Sequence, residues 1–243
     1  MISIISESLK HTKMKPKNIF MTCEWKNLIM STYEVDKSIL EPYLPPNTEL
    51  DLYQDKALIS LVAFTFSKVK FFGFKIPFHQ HFGQINFRFY AKSKIDGSKG
   101  VVFIREFAPK LLIALVGNKI YNEPYYFKRI RYKKHKTQDN ISLKYSYQKA
   151  SVQTNATLKT KEPLSNTLTH FIVDRYIAFV KSKKKTTLKY NIYHRPWKTY
   201  QPQNAHVDHN LLKLLPTNFK NLKHLSTYLI DGSEVSIQKG MLQ

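Results

Sequence analysis

Three groups of residues in this chain have types and spacings that could do chemistry. His79 and His81 stand two apart, so on a strand both imidazoles would face one way and could share a metal. His206 and His209 could bracket one on a helix. Neither pair has a third ligand nearby in sequence, and a polar loop rim is the favoured reading, so no metal is expected. Residues 127 to 136 read Phe-Lys-Arg-Ile-Arg-Tyr-Lys-Lys-His-Lys, interleaving bases with aromatics as a platform for single-stranded nucleic acid does, and residues 181 to 185 hold a tighter lysine cluster. On a half-exposed strand and a loop the same residues are solvated surface, which outweighs a nucleic-acid groove. The third group is Gln84, Asn86, Arg88 and Tyr90, which share one face of a strand while Ile85, Phe87 and Phe89 share the other.

Standard catalytic frames are missing. None of the seven glycines forms Gly-x-Gly, and there is no Gly-x-Ser-x-Gly elbow or His-Glu-x-x-His helix, so neither a dinucleotide nor another cofactor is expected. Cys23 is the single cysteine, which excludes an intrachain disulfide and a Cys-x-x-Cys pair and favours a reducing, cytoplasmic setting. Ile2, Ile4 and Ile5 are interrupted by Glu7 and Lys10, too soon for a signal-peptide core. No run of about 18 apolar residues occurs, so no membrane span is expected. The formal net charge of +22 fits a polyanion partner, yet the lysines are spread along the chain, many at alternating positions, and charge speaks to solubility before fold.

The elements that would position these residues are mostly strands. Residues 25 to 35 are apolar and β-prone, and Asp36 follows as an N-cap for a helix with the stripe Ile39, Leu40, Tyr43 and Leu44, stopped by Pro45 and Pro46. Residues 57 to 66 are apolar on both faces, the mark of a central strand covered on two sides. Asp96-Gly97-Ser98-Lys99-Gly100 turns the strand at residues 84 to 90 into one at 101 to 107. Pro109 opens a helix carrying Leu111, Leu112, Leu115 and Val116. Residues 125 to 134, 141 to 148 and 151 to 158 read as an antiparallel meander, 163 to 179 as a helix, and 187 to 194 and 234 to 238 as late strands. With no repeat and no Gly/Pro-rich linker, 243 residues suggest one α+β domain over residues 19 to 243 after a loose extension at 1 to 18.

Several segments then line up in order: Tyr33-Glu-Val-Asp36, Leu44-Pro45-Pro46, Glu49-Leu50-Asp51, Phe82-Gly-Gln-Ile-Asn86-Phe-Arg88, Gly100-Val-Val-Phe103, Tyr121-Asn-Glu-Pro-Tyr125 and His194-Arg-Pro-Trp197. Together they resemble the YqjF-like family of unknown function, related to acetoacetate decarboxylase, from about Trp25 to Gln238. The resemblance implies a mainly antiparallel sheet curled into a cone around an internal pocket, with helices packed outside. It also gives the polar face of residues 84 to 90 a second destination, the pocket interior instead of solvent.

Decarboxylase chemistry needs a Schiff-base lysine whose pKa is lowered by burial and a second cation, because only the neutral amine attacks a carbonyl. The decarboxylases supply this from a Gly-Arg-Glu stretch followed by Pro-Lys-Lys. Here Gly117-Asn118-Lys119 and Pro124-Tyr125-Tyr126 stand in their places, and Gln84 aligns with a strand glutamate. Tyrosine forms no imine, so acetoacetate decarboxylase activity is not expected; Lys119 and Lys128 are the nearby amines that could substitute. The resemblance makes Gln84, Asn86, Arg88, Glu106, Tyr121, Glu123 and Tyr125 candidate pocket residues. They offer a carboxylate pair, a cation and phenols for a small carbonyl or carboxylate compound. The competing structural reading pairs Arg88 with Glu106 across the hairpin, leaves Glu123 in a turn and treats Trp197 as a packing anchor. The leading expectation is a cytoplasmic binder of a small organic ligand. The alternatives are a nucleic-acid-binding protein and a lyase or hydrolase using Glu106 or Glu123 as base.

Overall fold

The computed structural model describes residues 18–75, 77, 80–109, 125–161 and 167–243. In chain order these form β1 (Ile19–Val35), α1 (Lys37–Leu40) with a 3-10 turn (Glu41–Tyr43), β2 (Thr48–Leu50), β3 (Ala57–Phe71), β4 (Phe74–Lys75), β5 (His81–Ser93) and β6 (Lys99–Ala108). Then follow β7 (Tyr125–Phe127), β8 (Ile130–Lys136), β9 (Asn140–Tyr147), β10 (Ala150–Lys161), α2 (Leu168–Val173), β11 (Ile177–Lys181), β12 (Thr187–Tyr193), β13 (Thr199–Val207), α3 (His209–Leu212), β14 (Lys223–Gln238) and β15 (Met241–Leu242). Among the described residues no helix is long and apolar enough to cross a membrane.

The main sheet runs β12-β11-β6-β5-β3-β1-β14, and a further pairing of β12 with β14 closes these strands into a ring. Closure removes the free edges that an open sheet of this size would expose. The period of two along each strand then sorts side chains between two cores. On β3, Leu58, Val62, Phe64 and Phe66 face inward while Ile59, Leu61 and Ala63 face outward, and all are buried. The central, doubly covered strand read at residues 57 to 66 is therefore present and extends to Phe71.

The outer face is covered by the meander β8-β9-β10, which contributes Ile130, Ile141, Leu143, Tyr145 and Val152 to the outer core, together with Leu40 of α1 and Leu211 of α3. Polar pins tie this layer to the ring. Asn27, at φ 56 in a bulge of β1, donates from Nδ2 to Tyr132 Oη at 3.1 Å and Thr65 Oγ1 at 3.2 Å, and its carbonyl accepts from Tyr145 Oη at 2.7 Å. Asparagine tolerates the left-handed region better than most residues, and its amide bonds here as well.

Asp36 caps α1 as its position predicts, its carboxylate accepting from the Ser38 backbone N–H at 2.8 Å. The turn after β5 and the β5–β6 hairpin form as read, and β8, β9 and β10 pair antiparallel in sequence. Two readings need correction. Of the helix expected over residues 163 to 179, the described residues from 167 onward form helix only in α2, and residues 177 to 181 are instead strand β11, held antiparallel to β12 along its length. β-Branched and aromatic residues accept either state, and pairing with a distant strand decides. The strand expected at 125 to 134 is two: β7 runs parallel to β6, and the chain breaks at Lys128 and Arg129 before β8 pairs with β9. The strand β13 had no period-two signal and was not anticipated. The helix after Pro109 falls outside the described residues.

Gly232, at φ 75 on β14, packs so closely on β1 that a Cβ would lie 2.0 Å from the Trp25 carbonyl oxygen. Gly232→Ala combines left-handed strain with a backbone clash and is expected to cost about 3 kcal/mol or more. Urea unfolding of the variant against the parent protein measures it.

Candidate functional site

The inward face of β5 carries Phe82, Gln84, Asn86, Arg88 and Tyr90 in alternation, and every one is buried. Its polar residues thus line the ring's interior, the destination that the resemblance offered. The ring holds a cavity of about 80 Å³. One water takes roughly 10–15 Å³ on this scale, so the space suits a small organic molecule. Gln84, Asn86, Arg88, Glu106 and Tyr125 form its polar wall among the described residues. Tyr121 and Glu123 lie outside the described residues.

Local pairing brings this wall together. Glu106 of β6 sits opposite Asn86 of β5, and Tyr125 of β7 sits beside Glu106 in the parallel ladder. Gln84 bridges them: its Nε2 donates to Glu106 Oε2 at 2.7 Å and lies 3.4 Å from Tyr125 Oη. Gln84 Oε1 and Asn86 Oδ1 are buried with no hydrogen-bond partner among the described residues. Buried amide oxygens are rarely left so, and such orphans call for an explanation.

Arg88 does not pair with Glu106. A register shift after Phe87 sets Arg88 opposite Phe103, and the guanidinium reaches instead to the Ile172 carbonyl at 3.0 Å, with Met30 Sδ at 3.8 Å. Its Nε has no partner, and among the described residues no carboxylate forms a salt bridge with it. Burial pulls the Arg88 guanidinium below its ordinary range against the opposing pull of the Tyr90 phenol, and the charge of Arg175 acts in the same direction as burial. A guanidinium still stays protonated in a protein. The cavity therefore has a desolvated cation in its wall.

The remaining lining is apolar and aromatic. Phe64, Phe66, Phe82, Phe103, Trp25 and Trp197 surround the polar wall, with Phe66 and Phe82 stacked at 4.8 Å. No lysine lines it among the described residues, and Lys128 lies over the Tyr147 ring on the meander instead. Tyr125 faces the cavity, while its neighbour Tyr126 is 43 % exposed and packs on Phe107 beneath Arg105.

Trp197 is the packing anchor that its sequence context suggested: it is buried, and its indole N–H donates to Ser233 Oγ at 2.9 Å. His194 stacks on it at 4.2 Å and on Tyr176 at 4.6 Å. Sequence reasoning missed one buried ion pair beside the site, Arg175 to Asp51 at 2.6 Å, with the guanidinium also stacked on Tyr90 and Phe171. The partners are 124 residues apart, and no local signal links them.

His81, His206 and His209 are exposed, His79 lies outside the described residues, and no group of three or more His, Cys, Asp or Glu residues that could hold an ion occurs among the described residues.

Burial holds the His194 imidazole below its ordinary pKa, against the opposing pull of the carbonyls of Arg195 and Arg175. A lowered folded pKa means that the unfolded chain takes up the proton first as pH falls, so this contribution to stability is full above the unfolded value near 6.5 and is lost on acidification. The urea midpoint is expected to fall between pH 7.5 and 5.5, and to fall less in His194→Asn.

Comparison with known proteins places this geometry. The model of the DUF2071 family, described as an uncharacterized conserved protein, matches residues 22–229. The uncharacterized protein YqjF of Bacillus subtilis (strain 168) is 24% identical over 177 residues, covering 71% of this chain and 72% of that protein. Among solved structures, acetoacetate decarboxylase from Legionella pneumophila is similar with a TM-score of 0.61 at 14% identity, over 96% of this chain and 94% of that one. The enduracididine biosynthesis enzyme MppR complexed with pyruvate gives 0.62 at 10% identity, over 95% and 93%. An acetoacetate decarboxylase-like enzyme from Sphingomonas wittichii RW1 gives 0.61 at 8%, over 96% and 97%. At these identities the structural likeness establishes the acetoacetate decarboxylase-like fold and nothing finer.

Proposed function

We propose that this chain, which belongs to the DUF2071 family, binds a small organic acid in the central cavity of one decarboxylase-like domain over residues 19 to 243, in the cytoplasm, without Schiff-base chemistry. The observation that carries the reading is Arg88: a guanidinium buried at the cavity with no salt-bridged carboxylate among the described residues. Burying a charge without a counter-ion costs several kcal/mol, and a ligand carboxylate entering the cavity offsets that cost. The partnerless oxygens of Gln84 and Asn86 call for donors, so a hydroxyl or amino group on the same ligand is favoured over a plain hydrocarbon acid. The aromatic lining takes the rest of the molecule.

Catalysis by a buried base is a second reading, supported by Glu106, whose carboxylate lies in the same wall and is oriented by Gln84. A carboxylate so held could take a proton from a carbon next to a carbonyl. Imine chemistry has less support, because the position that aligns with the decarboxylase lysines and faces the cavity is Tyr125.

Pyruvate and lactate, titrated by calorimetry, are suitable first probes. Arg88→Gln is expected to weaken binding by about tenfold or more, the worth of one charge-assisted hydrogen bond, while leaving the fold as stable or more so. Equal affinity in the variant would sink the assignment. In a second test, borohydride reduction in the presence of pyruvate is expected to leave the protein mass unchanged; a stable adduct on any lysine would restore imine chemistry.

A further inference from the structure

A second cavity, of about 170 Å³, lies between the β1 bulge and the outer meander, away from the site described above. Lys26 of β1 and Lys134 and Lys136 of β8 line it, and Ile141, Leu158 and Leu229 form an apolar wall. The geometry points to a binding site for a small phosphate-bearing molecule, its phosphate held by the three ammonium groups and its organic body against the apolar wall.

The convergence of like charges is imposed by the fold. Lys26 immediately precedes Asn27, whose side chain and carbonyl are bonded to Tyr132 and Tyr145, and Thr65 Oγ1 donates to the Lys26 carbonyl at 3.0 Å. These bonds fix β8 across β1. On β8, the period of two sets Lys134 and Lys136 on the face that Tyr132 shares, so all three cations meet at one opening.

Little nearby acid compensates them. Lys26 bonds Glu24 at 2.7 Å, but Glu24 also serves Lys68 at 2.7 Å. Asp231, the one carboxylate in the cavity lining among the described residues, is taken by Arg195 at 2.5 Å and by the Lys198 backbone N–H at 3.1 Å. Neither Lys134 nor Lys136 forms a salt bridge among the described residues. Partial burial, then the charges of Lys136 and Lys26, hold the Lys134 ammonium below its ordinary pKa. An anion at the opening relieves that repulsion, and a multiply charged phosphate relieves more of it than a carboxylate does. Lysine binds phosphate as a point charge and does not need the planar fork of arginine.

The apolar wall distinguishes this cavity from a strip that tracks a nucleic-acid backbone, which would use the exposed, outward lysines of β8 equally. Inorganic phosphate and phenyl phosphate, titrated by calorimetry at about 150 mM salt to screen diffuse attraction, test it. Both are expected to bind, phenyl phosphate more tightly than inorganic phosphate. The double variant Lys134→Gln, Lys136→Gln should lose about tenfold or more in affinity for either, whereas the remote pair Lys184→Gln, Lys185→Gln should lose none. Circular dichroism checks that each variant is folded. No heat from either probe at millimolar concentration, or equal losses in both double variants, would overturn the site. A single-stranded oligothymidylate that outcompetes phenyl phosphate and depends on Lys133 as strongly as on Lys134 would replace it with an extended nucleic-acid surface.

Discussion

The register of β5 is the constraint on which the rest depends. Ile85, Phe87, Phe89 and Ala91 on its outward face are all essentially inaccessible to solvent, packed against the outer core. A slip of one residue would push these four side chains into the cavity and drive Gln84, Asn86 and Arg88 into an apolar layer with nothing to bond them, a cost of several kcal/mol for the guanidinium alone. The apolar half of the strand therefore fixes where the polar half goes. The polar wall of the cavity is the by-product of a packing decision made on the opposite face, and it needs no strong interaction of its own to be held in position.

That decision is effective only because the sheet closes. The pairing of β12 with β14 turns the inner faces of β1, β3, β5 and β6 toward each other, so that aromatic rings from several strands surround one space. Long strands curl into such a ring by local breaks in their ladders, and one falls at Asn27, whose residue type tolerates the left-handed backbone of the β1 bulge, while Gly232 of β14 allows close approach to the Trp25 carbonyl. The same bulge anchors the outer meander through Tyr132 and Tyr145. One local irregularity thus serves closure, layer docking and the placement of Lys26.

What was legible in the sequence was whatever repeats at short range. The two faces of residues 84 to 90, the doubly apolar strand from Ala57, the cap at Asp36 and the hairpin turn at Asp96 each carry their signal within ten residues, and each appears as read. Order and spacing of short motifs then extended the reading to the decarboxylase-like cone. Long-range pairings were not legible. The segment from Ile177 takes its state from β12, the ion pair of Arg175 with Asp51 joins distant segments, and Arg88 meets the end of α2 while Glu106 lies opposite Asn86, a register that no local pattern announces. Tyr121 and Glu123 lie outside the described residues, so the carboxylate pair suggested by sequence is represented by Glu106.

The two tyrosines of β7 are not equivalent, and strand parity says why. Adjacent residues on β7 point to opposite sides, so Tyr125 reaches the cavity beside Glu106 and Gln84, while Tyr126 lies outside between Phe107 and Arg105. Replacing an inward lysine with tyrosine removes a nucleophilic amine and adds a phenol that can only donate, accept or stack. Replacing the outward residue alters a surface stack and leaves the cavity unchanged. The cation in that wall among the described residues is Arg88, a group that binds anions well and attacks carbonyls not at all.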